Sequence, residues 1–336
     1  MPLSHFPYGI QASPIVGGNL GDTFQSTPNA NPSDPIGGNI YFVDGDYGAD
    51  GNDGHSPSTA KGTIGGALAV SGPGAVIYIK ARNIPATGTD PVNYAETIII
   101  ANTQPGTQLI GVGSGPKQCA QPQIKKGSGA VALLTVRAPG CLISGLTFNG
   151  GGSTGGGILL DDNGTTKVAA GTVIQGCVFK NCVGSAATNS GTGGAVQIAA
   201  GGGCWDTLIK DCLFYRNIGG FVLLGTSTVP QDITIENCQF TTDVSTSVDT
   251  YIFGNAGSGI IDLVIRNCEF GIFPSGNTKN NYMDLTACTG QIVGCRFASN
   301  NKTFGAAANV LVPTTVLLAQ NYQEKSTSGS GEIFRT

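Results

Sequence analysis

Charge is what this chain has least of. Asp, Glu, Lys and Arg make up 11% of its 336 residues, against roughly a quarter in ordinary soluble domains. Histidine is scarcer still: His5 and His55 are the only two. Neither lies in the repeating body described below, which excludes a histidine-based triad or zinc centre built on that body. A net charge of −4 and a pI near 5.1 leave no basic surface to neutralise phosphates, so nucleic acid is excluded as a partner. No run of about 18 apolar residues occurs, and no membrane span is expected. Residues 1–19 lack a basic stretch followed by an apolar one, so no secretory signal is expected either. No glycine loop with a phosphate-binding lysine is found, the glycine runs at 150–152, 155–157 and 201–203 reading as bends or loops, and no cofactor is expected.

What is abundant is glycine, with 53 residues, alongside 17 prolines and 40% hydrophobic content. That apolar share is too large for a disordered chain and suits a β-protein with many tight turns. One pattern occurs six times: Ile143-Ser-Gly145-Leu146-Thr-Phe148, Ile174-Gln-Gly176-Cys177-Val-Phe179, Ile209-Lys-Asp211-Cys212-Leu-Phe214, Ile235-Glu-Asn237-Cys238-Gln-Phe240, Ile265-Arg-Asn267-Cys268-Glu-Phe270 and Ile292-Val-Gly294-Cys295-Arg-Phe297. Its fourth positions are spaced by 31, 35, 26, 30 and 27 residues, a period that means stacked repeats.

Each position has a physical reading. Ile and Phe at the ends point inward on short strands, while the second and fifth positions are mostly polar and point out. The third is only Gly, Asp or Asn, the residues that tolerate positive φ, so a sharp bend is expected at Gly145, Gly176, Asp211, Asn237, Asn267 and Gly294. A bend flanked by two short strands once per coil predicts an all-β fold, a right-handed parallel β-helix. Propeller blades would instead show four antiparallel strands per repeat. Stacking then yields columns of Ile, of Phe (Phe148, Phe179, Phe214, Phe240, Phe270, Phe297) and of Cys (Cys177, Cys212, Cys238, Cys268, Cys295). Thiols are the expected state, with disulfides between coils as the alternative.

Residues 1–38 read as an extended N-terminal arm. It is either a disordered leader or an attachment segment anchored by Phe6, Tyr8 and Ile10. Residues 39–320 form the β-helix, with a cap at about 39–72, and 321–336 form a polar tail whose Ile333-Phe334 is expected to pack on a neighbouring chain. Ser56-Pro57 predicts the start of a short capping helix running to Val70, with Ile64, Ala67 and Leu68 on its buried face. Val310–Ala319 is expected as a last strand run. Asp44, Asp46, Asp50 and Asp53 crowd one turn, as a calcium loop would, but without its spacing, so a solvated turn is the other reading. Asp161-Asp162 is the best carboxylate pair for acid catalysis, against a plain solvated loop. Apolar outward positions, and runs such as Phe221–Leu224 and Tyr251–Phe253, suggest self-association into a closed homotrimer.

Tyr41-Phe-Val-Asp44, Gly48-Ala-Asp50, Gly54-His-Ser56-Pro57, Thr63-Ile64, Ala67-Leu68 and Gly74-Ala-Val-Ile-Tyr-Ile79 together resemble the opening of pectate-lyase-like right-handed β-helix proteins, over roughly residues 39–320. The resemblance implies the fold. The family's catalytic residues have no counterpart here, since no calcium-carboxylate and arginine cluster is evident. Ser4-His-Phe-Pro-Tyr-Gly9-Ile10 is similar to the leaders of many tailed-phage head and tail proteins. The expected function is thus a phage virion structural protein, a capsid decoration or spike. It would be made in the host cytoplasm, displayed on the virion surface and held to a capsid or other virion protein through residues 1–38. A tailspike-type or secreted polysaccharide-degrading enzyme, lyase or glycoside hydrolase, is the alternative, as is a β-helix that binds a host surface glycan without cutting it.

Overall fold

A computed structural model describes residues 40–84, 92–113, 121–125, 132–151, 156–161, 169–183, 194–198, 204–217, 222–224, 230–241, 250–254, 260–271, 281–286, 288–298, 310–311, 314–323 and 333–334. The arm residues Phe6, Tyr8 and Ile10 lie outside that set. The strands form three long sheets. Sheet A has ten strands, from Ile40–Val43 to Val316–Ala319; sheet B has ten, from Asn93–Tyr94 to Ile333–Phe334; sheet C has eight, from Ile98–Ile100 to Val310–Leu311. The chain visits A, B and C in turn, so neighbours within a sheet come from successive coils and pair in parallel, Ile333–Phe334 excepted. Crossovers between parallel strands are right-handed for twist reasons, and the chain is a right-handed parallel β-helix.

All six bend residues adopt the left-handed conformation, with φ of 66°, 60°, 55°, 53°, 53° and 66° from Gly145 to Gly294. The bend turns the chain from sheet A to sheet B, and each bend N–H still donates to the next coil, as Gly176 does to the Lys210 carbonyl at 3.0 Å. A seventh copy ends the column: Gln320 has φ 54°, with Leu318 aligned on Ile292 and Gln323 on Phe297. No residue type of the motif survives there, which hid it. The same corner geometry splits the expected strand at 310–319. Val310–Leu311 closes sheet C and Val316–Ala319 closes sheet A.

A second left-handed column, not anticipated, turns C into A. It contains Gly74, Gly106, Gly140, Gly171, Asp206, Asp232 and Asp262. Its first members follow proline at Pro73, Pro105 and Pro139, the Pro-Gly pair of a type II turn. That signal was available at regular spacing. Asp206 and Asp262, which look scattered along the chain, are bend residues.

The interior is columnar. Tyr41, Ile77, Leu109, Ile143, Ile174, Ile209, Ile235, Ile265, Ile292 and Leu318 stack in register. The six phenyl rings stack at centroid spacings of 5.2, 4.9, 4.6, 5.0 and 4.9 Å, near the 4.8 Å strand separation, with neighbouring planes tilted by no more than 11°. From Phe148 to Phe297 one phenyl ring per coil therefore fills the same slot.

Nine cysteines lie among the described residues, and all are buried and free. The disulfide alternative gives way to a hydrogen-bonding role. Each ladder thiol sits just after the bend and reaches the carbonyl of the ladder isoleucine one coil earlier: Cys177 to Ile143 at 3.6 Å, Cys212 to Ile174 at 3.7 Å, Cys238 to Ile209 at 3.7 Å, Cys268 to Ile235 at 3.6 Å and Cys295 to Ile265 at 3.8 Å. Asn321 takes this slot in the seventh copy. Its amide donates to the Ile292 carbonyl at 2.9 Å and accepts from the Cys295 N–H at 2.9 Å. The exit from sheet B repeats the exchange, with Cys182 reaching Phe148 and Asn217 reaching Phe179. Burial pushes the Cys141 thiol up to about 11 and those of Cys182 and Cys288 to about 12, so these sulfurs stay protonated and unreactive at neutral pH. Since carboxamide and thiol are interchangeable here, Cys238→Asn should fold and match or exceed the parent stability. Cys238→Ala should lose about 1 kcal/mol, the comparison being read from denaturant midpoints.

At the N-terminal end, Ser56-Pro57 begins only a 3-10 turn, Pro57–Thr59. Ala60 and Lys61 then run beside the first strand, and a separate helix α1, Ile64–Val70, starts at Thr63. Ile64, Ala67 and Leu68 face the core as expected. The free N–H groups of its first turn are met by Thr63 Oγ1 and by Glu96, whose two oxygens accept from Ile64 and Gly65 at 3.0 and 2.7 Å. At the other end, Ile333–Phe334 folds back antiparallel on Asn321–Gln323. It pairs within its own chain, and the solenoid extends past 320.

Candidate functional groove

The edge between sheets A and B carries a polar concavity, a groove of about 420 Å³ lined by Gly111, Gly113, Gln121, Ser144, Gly145, Gln175, Gly176, Lys210 and Asp211. Its origin is the bend column itself. Gly145 and Gly176 occupy the corner because the backbone turns left-handed there, and Gly111 because a Cβ would lie 2.0 Å from the Gly145 carbonyl oxygen. With no side chains at three successive corners, the edge is hollow. One wall is the outward column of sheet A next to the bend, Ser144, Gln175 and Lys210 in register. The other wall is Gln121, whose Nε2 donates to the Gly176 carbonyl at 2.7 Å and whose Oε1 accepts from Thr147 Oγ1 at 3.1 Å. A smaller cavity of about 60 Å³ shares Gly176 and Asp211 and continues along the edge beside Gln239 and Asn237.

The groove's chemistry is amides, a hydroxyl, one ammonium and one carboxylate. Gln175 Nε2 lies 3.4 Å from Ser144 Oγ. Arg266 Nε takes Glu236 at 2.6 Å, and Lys210 has no ion pair among the described residues. Its ammonium is available to a ligand. Bends, Gln175 and Lys210 were each legible in the sequence; Gln121 was not, because nothing local marks a residue that meets Gly176 from 55 positions away.

The catalytic pair is only half described. Asp161 ends a sheet C strand and binds Arg137 Nε at 2.9 Å, one coil below, while Asp162 lies outside the described residues. Asp284 is buried on sheet C and accepts from Thr286 Oγ1 at 3.1 Å. The four turn carboxylates are not brought together. Asp44 accepts from the Asp46 and Tyr47 N–H groups and pairs with Lys80 at 2.6 Å; Asp46 pairs with Arg82 at 3.0 Å. Asp50 takes the Gly62 and Thr63 N–H groups, and Asp53 takes His55 N–H and the Thr59 hydroxyl. Burial alone would raise the Asp44 carboxyl, but Lys80 and the two N–H donors outweigh it and hold it below its ordinary value. Among the described residues no three His, Cys, Asp or Glu side chains gather as a metal site. The turn is a hydrogen-bonded brace for the cap.

Fold and groove together define the class: a parallel β-helix solenoid with a polar cleft along one bend edge. No family model and no curated protein matches the chain. Solved structures similar to it in fold include a pectin methylesterase from Aspergillus niger, 14% identical over 86% of this chain and 87% of that one, TM-score 0.48. A pectate lyase is 13% identical over 86% and 79%, TM-score 0.45, and an alginate lyase from a Paenibacillus species is 14% identical over 76% and 94%, TM-score 0.42. The fold assignment itself rests on strand order and register.

Proposed function

We propose that the chain is a surface-displayed β-helix that holds a polysaccharide along the groove between sheets A and B. The observation that carries this reading is the groove's lining. Amide, hydroxyl and ammonium groups recur at coil spacing over a glycine floor, which suits a hydroxyl-rich polymer that also repeats. The reading is recognition rather than cleavage, because the Asp161 carboxylate is held by Arg137 Nε at 2.9 Å. The leader resemblance supports a phage particle as the place of display, with residues 1–38 gripping a capsid or tail protein.

Binding of host capsular polysaccharides to the full chain tests this. Lys210→Ala should weaken the complex about tenfold or more, as removal of a charge-assisted hydrogen bond does, and Gln175→Ala less, with the melting temperature unchanged. Equal affinity in the parent and both variants would remove the groove from consideration. Release of reducing ends that is lost in Asp161→Ala would replace recognition by hydrolysis or elimination. Peptides of this chain in purified particles would support the virion placement.

A further inference from the structure

The buried thiols differ in what stands next to them. Cys141 lies between Thr107 and Thr172 in its column, and Cys182 is followed by Asn217. The five ladder thiols instead follow one another through five coils, because the residues just after them, Val178, Leu213, Gln239, Glu269 and Arg296, are in register. All five share one orientation. Each Sγ lies between 3.2 and 3.6 Å from the carbonyl two residues before it, besides reaching the isoleucine carbonyl of the earlier coil. Sulfurs held alike repeat at the spacing of the coils themselves. The phenyl rings two residues further on measure that spacing as 4.9, 4.6, 5.0 and 4.9 Å from Phe179 to Phe297. The Cys212 thiol accordingly meets those of Cys177 and Cys238 on either side.

We propose that Cys212 and Cys238 form a two-coordinate site for copper(I). Thiolate sulfur is the ligand type that selects this soft ion, and two sulfurs in line satisfy it without a third ligand. Two metal–thiolate bonds of about 2.3 Å, the length found at zinc, span about 4.6 Å end to end. The coils that carry this pair are 4.6 Å apart at Phe214 and Phe240, the shortest step in the column. The ion therefore fits between the two sulfurs without parting the strands. One proton leaves. Copper(I) forms two Cu–S bonds, the S–H bond of one cysteine breaks and its proton goes to solvent, while the other sulfur stays protonated and keeps its carbonyl partner. The product is neutral, as a buried site requires. Access is from the corner between sheets A and B. The cavity of about 60 Å³ there is lined by Cys177 and Cys212 together with the bends Gly176, Asp211 and Asn237, so one layer of backbone separates the sulfurs from it. Burial pushes the Cys212 thiol well up, so the ion has to displace a proton and binds more tightly as pH rises.

Copper(I), supplied to the full chain as its acetonitrile complex without oxygen and competed with a chromogenic chelator, should bind as a single ion per chain. Affinity should rise about tenfold for each unit of pH, one proton being released. X-ray absorption of the loaded chain should show two sulfur neighbours at the metal. Because a carboxamide fits the thiol slot, Cys212→Asn and Cys238→Asn each remove one sulfur and leave the column intact. Each should weaken binding about a hundredfold or more, the upper end for losing even an outer-shell partner, with melting unchanged. Cys182→Asn, which removes an equally buried thiol outside the ladder, should bind as the parent does. A parent whose copper has oxygen or nitrogen neighbours, a parent that takes up none, or parental affinity in both ladder variants would overturn the proposal.

Discussion

Replacing Phe214 by alanine is expected to lower stability by about 3–5 kcal/mol, the range for truncating a large buried aromatic. Phe214 sits mid-column, 4.9 Å from Phe179 and 4.6 Å from Phe240, nearly parallel to both and wholly buried. Removing its ring takes contacts from two neighbours at once. The cavity is bounded above and below by backbone held at strand spacing, so collapse is restricted. Phe148, stacked on one ring at 5.2 Å and followed by Ile124 below, has a smaller aliphatic neighbour that can settle into the gap, so Phe148→Ala should lose less. Guanidinium titrations of the two variants, followed by dichroism, check both the size and the order; equal losses would show that the stack is not cooperative.

Gly111→Ala should be of comparable severity, about 3 kcal/mol, at the upper end for overpacking. The added methyl would lie 2.0 Å from the Gly145 carbonyl oxygen and 2.7 Å from its carbon. Those are backbone atoms of the next coil, so two coils must move apart. The comparison that isolates this cause is Gly176→Ala. There φ is 60° and nothing lies within 4 Å of the new methyl, leaving only left-handed strain of roughly 1 kcal/mol. Both residues line the groove, so Gly111→Ala should also abolish polysaccharide binding, whereas Gly176→Ala should reduce it sterically. A Gly111→Ala protein with parental midpoint would mean that the coils are far less closely stacked than described.

Much of this could be read from the chain alone, for a reason visible in its repeat. A left-handed bend restricts residue type, and a short strand on each side alternates strictly, so six consecutive residues state both where the chain turns and which side chains point in. Phe148 to Phe297 and Cys177 to Cys295 were legible in that way. Where residue types changed but geometry did not, as at Gln320-Asn321, the signal vanished, since the same backbone accepts a glutamine at the bend and an asparagine in the thiol slot.

The sequence by itself determined the coil: its bends, its inward columns, its capping face at Ile64, Ala67 and Leu68. Tertiary structure decided what the coil's exterior became. It set Gln121 over Gly176, gave α1 its anion from Glu96 thirty-two residues away, tied Asp44 to Lys80, and buried Val178 and Leu213 while leaving Val173 and Leu208 partly open. The physical reason is range. Bends and alternation act over a few bonds, whereas the outer contacts depend on loops of unequal length returning to the same edge, and no local pattern encodes where they land.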